Sequence, residues 1–235
     1  MVQKMIGIST VEKKSSQKGC RKMDREDETK KYIRENWFKD HKAVLTKHGD
    51  LEVLDWRKPG TCCYAVRYVF DGDKMYITGD IGEALFWLTW KANVHSFNGI
   101  STGYFMEKMR AFSDDRYDFE KNEAKSRLIE WKNEILESNY PLDDDYDEED
   151  NWYPERDEFI EKIDELICEV DNCNTESMWA GIVNSEPYNS FISEYDCDYW
   201  EWIYSIGNET SARIYGYIVG LQMASEQLKE SEVEQ

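Results

Sequence analysis

Histidine is scarce in this chain: His41, His48 and His95 are the whole supply. His41 and His48 lie seven apart in a polar stretch and read as surface residues. His95 sits in a Val94-His95-Ser96 loop, where Ser96 or Ser101 would be the nearest nucleophile, but no G-x-S-x-G elbow surrounds either serine. A Walker loop is missing, and Gly79-Asp80-Ile81-Gly82 is too short to cradle a dinucleotide; it reads as a tight turn or bulge that redirects a sheet. No run approaches the roughly 18 apolar residues of a membrane span. Met1 to Thr10 is short and interrupted by Lys4, so no signal peptide is expected and the chain reads as cytosolic.

The six cysteines lack the two close pairs of a zinc site. Cys62 and Cys63 are adjacent, and on a strand they would point to opposite faces. Buried, reduced, apolar thiols are the expectation, with no metal and no cofactor.

Basic residues are also short beyond the first 49 positions. Residues 1–49 hold thirteen Lys and Arg against seven Asp and Glu; the remaining 186 hold sixteen against forty-two. The overall net charge is −20. Such a field repels nucleic acid and attracts basic protein surfaces. Direct binding of nucleic acid is therefore not expected.

Apolar and aromatic content is densest from Asp55 to Trp90. Two β-rich runs flank Asp71-Gly72-Asp73-Lys74, the Asp-Gly signal of a hairpin. The run Ala84 to Trp90 is apolar on both parities and reads as a strand covered on both faces. With a first strand from Leu51, an antiparallel sheet of about four strands is expected within 51–90. Before it, residues 27–47 suit a helix ended by Gly49. After it, Tyr104, Phe105, Met109 and Phe112 give a helix capped by Ser101 or Thr102, and Tyr117 to Leu136 gives a longer one. Phe159, Ile160, Ile163, Leu166, Ile167 and Val170 form the apolar face of a helix opened by Pro154, with acids on its other face. Short helices are expected around Met178–Val183 and Pro187–Tyr195. Asn208 would cap a last helix, in which Gly216 and Gly220 allow close packing. The class is α+β: a basic arm at 1–25, a core at 26–140, and an acidic, mainly helical region at 141–235.

Met75-Tyr76-Ile77-Thr78-Gly79-Asp80-Ile81-Gly82, followed by Ala84-Leu85-Phe86-Trp87, resembles a pattern in small accessory proteins of phages and prophages of Gram-positive bacteria. Tyr217-Ile218-Val219-Gly220-Leu221-Gln222-Met223-Ala224 is similar to their closing helix. The resemblance covers about two-fifths of the chain and carries no catalytic residue. It implies a phage-borne protein in the host cytoplasm, and phage accessory genes include inhibitors of host defence, some of them acidic imitations of DNA.

The acids concentrate in Asp143, Asp144, Asp145, Asp147, Glu148, Glu149 and Asp150, with Tyr146 and Trp152 as aromatic anchors, and continue through Glu155 and Glu158. The loop lacks the Gly and closing Glu of a Ca²⁺-binding EF-hand. The expected function is a non-enzymatic inhibitor of the anti-CRISPR or anti-restriction type. Its carboxylates would imitate phosphates and block the nucleic-acid surface of a host nuclease. One alternative is a phage adaptor or assembly module working through aromatic surfaces such as Tyr199 to Tyr204. A second is an enzyme that uses carboxylates and a divalent ion.

Overall fold

The computed structural model describes residues 25–137 and 156–233. It is an α+β structure that divides into two compact units: Met1–Ser113 with Ala212–Gln235, and Asp114–Ser211. The boundaries differ from the expected break near residue 140. The last helix packs under the sheet of the first unit, while residues 117–137 join the acidic helices.

Unit 1 is built on a six-stranded antiparallel meander in chain order: β1 (Lys42–His48), β2 (Leu51–Arg57), β3 (Val66–Asp71), β4 (Lys74–Gly79), β5 (Ala84–Trp87) and β6 (Met109–Phe112). The Asp-Gly hairpin is present, with Asp71 opposite Lys74 and Gly72 at φ 60°. The expected helix over 27–47 is corrected. Helix α1 (residues 25–32) runs into a π-helical turn, Ile33–Trp37, and the chain then enters β1. Ala43 and Leu45 are half-buried while Val44 lies exposed between them, a period of two. Gly49 is the hairpin turn between His48 and Leu51, not a helix stop. The expected helix through Phe112 is also shortened: α2 (Thr102–Lys108), capped by Ser101, ends where β6 begins.

The inner sheet face is Leu54, Trp56, Val66, Tyr68, Phe70, Met75, Ile77, Ala84 and Phe86, all buried. The long helix, α7 (Ala212–Val233), lies against it. Gly216 and Gly220 permit the approach: a Cβ on Gly220 would stand 2.5 Å from the Tyr68 hydroxyl oxygen. Tyr217 donates from its hydroxyl to the Ile81 carbonyl at 3.0 Å, which ties α7 to the turn between β4 and β5. Gly79, the last residue of β4, has φ 150°, and a Cβ there would overlap the Ala65 carbonyl oxygen.

Strand β5 is covered on one face only, contrary to expectation. Phe86 is fully buried, whereas Trp87 is 55% exposed. The outward face is continuous across the meander: Thr46, Val53, Val69, Tyr76, Leu85 and Ala111 stand opposite one another in a single row, one from each strand.

Unit 2 pairs β7 (Tyr117–Phe119) with β8 (Asn208–Thr210) and surrounds this ribbon with α3 (Lys121–Glu137), α4 (Arg156–Glu169), α5 (Glu176–Val183) and α6 (Tyr188–Tyr195). Asn208 is therefore a strand residue and does not cap α7. It stands opposite Phe119, 89 positions earlier in sequence, and the ladder is closed beside it by the Glu120 amide donating to the Gly207 carbonyl at 2.7 Å, a register that local pattern does not carry. The expected apolar face of α4 packs inward: Phe159, Ile163, Leu166 and Val170 are fully buried. Phe159 meets Trp131 at 5.2 Å, Phe191 at 5.0 Å and Tyr195 at 4.0 Å between ring centroids. Such a ring cluster supplies much of the apolar area a small helical core needs.

Candidate partner-binding surface

The acids chosen from the sequence divide by position. Asp143, Asp144, Asp145, Tyr146, Asp147, Glu148, Glu149, Asp150, Trp152 and Glu155 lie outside the described residues. Glu158 lies on α4 and is exposed. It begins an acidic stripe that follows from helical spacing: with every third or fourth residue buried, Glu158, Glu161, Glu165 and Glu169 turn away from the core.

Part of this stripe borders an open groove. Glu161, Asp164, Glu165, Cys168, Glu169 and Tyr188 enclose about 530 Å³ between α4 and the start of α6. Lys132 neutralises Asp164 at 2.6 Å from α3, and Lys162 pairs with Glu165 at 2.8 Å. Asn172 donates to Glu169 at 3.0 Å. Burial raises the Tyr188 hydroxyl pKa, and the negative charges of Glu169 and Glu165 push it further in the same direction. Two of the groove's four carboxylates are thus paired with lysines, and Glu161 and Glu169 supply its remaining negative charge.

The wider charge distribution follows the division of the chain. Residues 114–211 contain thirty acids and seven bases; the rest of the chain contains nineteen and twenty-two. Five of the seven bases of unit 2 have partners within the unit. Lys121 donates to the Asp171 carbonyl, Lys125 to the Asp171 carboxylate, and Arg127 to Glu130. Lys125 holds the Asp171 carboxyl below its ordinary pKa through that hydrogen bond. Among the described residues of unit 2, no Asp or Glu is buried.

The other candidates fall elsewhere. His41 is corrected from surface to interior. It is 2% exposed, between the Phe38 and Trp56 rings, and its Nε2 donates to the Tyr64 carbonyl at 3.2 Å. His48 is exposed on β1. His95 does not face Ser96 or Ser101, whose hydroxyls accept from the Asn93 and Tyr104 amides as caps. Its Nδ1 instead meets Ser225 Oγ at 2.9 Å, and Asn98 donates to the same oxygen at 2.8 Å. Ser225 is fully buried, so this contact fastens α7 and offers no nucleophile to a substrate. The partner lies 130 positions away, and nothing local in the sequence signals it.

The thiols are corrected as well. Of the described cysteines only Cys173 is buried; Cys62, Cys63, Cys168 and Cys197 are exposed. Cys62 and Cys63 lie in the turn before β3, not on a strand, and Tyr64 follows them with φ 53°. Among the described residues, no three His, Cys, Asp or Glu side chains converge in a way that would hold a metal ion.

The aromatic run Tyr199 to Tyr204 forms two short 3₁₀ turns, Tyr199–Glu201 and Ile203–Ser205. Trp202 donates from its indole to Asp196 at 2.7 Å, and Tyr204 donates to Asn184 at 2.9 Å. Trp200 projects outward, 58% exposed. No described helix is long and apolar enough to cross a membrane. No family model matches the chain, and no curated protein or solved structure gives a match.

Proposed function

We propose that the protein is a non-enzymatic binding protein whose acidic unit occupies a cationic, nucleic-acid-binding surface of another protein. In the reading its sequence resemblance implies, that protein is a defence nuclease of a phage host. The observation that carries the proposal is the segregation of charge. Thirty of the acids fall in residues 114–211 against seven bases, and Lys121, Lys125, Arg127, Lys132 and Lys162 are engaged by acids and a carbonyl of the same unit. An excess that is not neutralised within its own fold projects a field that speeds encounter with a basic surface.

The test is a pull-down from bacterial lysate, washed at low and then high salt, with competition by DNA or RNA. Release of a nucleic-acid-binding protein by salt and by nucleic acid supports the reading. Retention of a partner at high salt, unmoved by nucleic acid, sinks it. Two charge-reversed variants locate the contact: one reverses four acids between Asp143 and Asp150, the other reverses Glu158 and Glu161. Loss of binding in the first places the contact on residues 143–150, and loss in the second places it on α4.

A further inference from the structure

The outward sheet face of unit 1 plays no part in this reading, and it is built like an interface. Its central row is Thr46, Val53, Val69, Tyr76, Leu85 and Ala111. The row beside it, from β2 to β5, is Leu51, Asp71, Lys74 and Trp87. Trp87 is 55% exposed and Tyr76 38%. The Trp87 indole donates to Asp73 at 2.8 Å, so the exposed ring is held in one orientation before anything binds. Trp and Tyr are among the residue types enriched at the anchor points of protein interfaces.

Two rows of this face are self-complementary; the third, Asp55, Arg67 and Thr78, is polar, with Arg67 bonded to Asp55 at 2.7 Å. A two-fold axis running along the strands, between β3 and β4, lays β3 over the other copy's β4 and β2 over its β5. The row positions are kept. Val69 then faces Tyr76, Val53 faces Leu85, and Leu51 faces Trp87, apolar against apolar. Asp71 faces Lys74, opposite charges, and each contact occurs twice. An axis across the strands would instead bring Asp55 onto Leu51, and does not give this match. From strand spacing and rise the face measures roughly 600 Å². That is somewhat below the ~800 Å² per partner of a standard interface.

We propose that a second copy of this chain docks on this face, sheet to sheet, forming a weak two-fold dimer. The proposal does not depend on the acidic unit's target. Aligned sheet packing at ~10 Å separation brings the two rows of side chains into contact. A face of that size belongs with the small interfaces of weak, transient complexes.

Sedimentation velocity of the full chain over a concentration series reads it directly. The expected result is a monomer when dilute and a growing dimer fraction at high micromolar concentration. Asp71→Lys and Lys74→Asp each place like charges opposite one another in a homodimer and should weaken it by about tenfold. An equimolar mixture of the two variants restores opposite charges across the axis and should recover the dimer. Both positions flank an exposed hairpin turn, and Tyr76→Lys supplies an independent disruption of the central row. A wild-type chain that stays monomeric throughout overturns the proposal. So does a dimer indifferent to all three substitutions, or a mixture that fails to recover.

Discussion

Tyr68 and Gly220 meet where the sheet touches α7, and the Tyr68 hydroxyl donates to the Tyr217 carbonyl at 3.0 Å in the same contact. A methyl on Gly220 would stand 2.5 Å from that hydroxyl and 3.2 Å from Trp56 Cδ1. Both side chains are fully buried, so neither has free space to move into. Gly220→Ala should cost about 1–3 kcal/mol by overpacking. Gly103→Ala, where an added methyl meets nothing within 4 Å, should be neutral or stabilise by up to ~1 kcal/mol. Chemical denaturation of the two variants beside the parent checks the contrast.

His41 gives the first unit a pH dependence. Its pKa is lowered, mainly because burial disfavours the imidazolium; the Tyr64 carbonyl and Asp40 oppose this, and Lys58 adds to it. The unfolded chain therefore takes up the proton first. Stability is full above the ordinary value of 6.5 and is lost as pH falls from there toward the lower folded value. The urea midpoint should drop between pH 7.5 and 5.5, and His41→Phe should drop less over the same interval. Parallel slopes for parent and variant would remove His41 as the cause.

Phe159 is the common neighbour of Trp131, Phe191 and Tyr195 in unit 2. Removing its ring leaves three aromatic partners facing a cavity. Phe159→Ala should cost about 3–5 kcal/mol and flatten the near-ultraviolet circular dichroism of that unit.

Thiol labelling should separate the cysteines. Cys173 is buried, and burial with the nearby Glu169 charge raises its thiol pKa. A short exposure to iodoacetamide under native conditions should modify Cys62, Cys63, Cys168 and Cys197 and spare Cys173. Peptide mass spectrometry gives the result, and early modification of Cys173 would contradict its place in the core.

Legibility in the sequence followed distance along the chain. The β3–β4 hairpin, the Ser101 cap, α5, α6 and the buried face of α4 are local and stand as expected. The same helical spacing puts Glu158 on the exposed face of α4. The acidic segment from Asp143 to Glu155 was equally plain in composition and lies outside the described residues. Residues 42–48 misled because Val44 and Leu45 suit an apolar stripe of a helix as well as a half-buried strand. Pairing with Leu51–Arg57 decided between them.

Composition and short-range pattern thus determined the α+β class, the hairpin turn and the amphipathic helices, since each depends on dihedral preference and periodicity within a few residues. Tertiary structure decided that α7 belongs to the sheet, that Asn208 pairs with Phe119, and that His41 is buried. It also decided that Tyr76 and Trp87 are exposed on the outward sheet face. These depend on which distant surfaces exclude water together, and chain-local spacing carries no record of that choice.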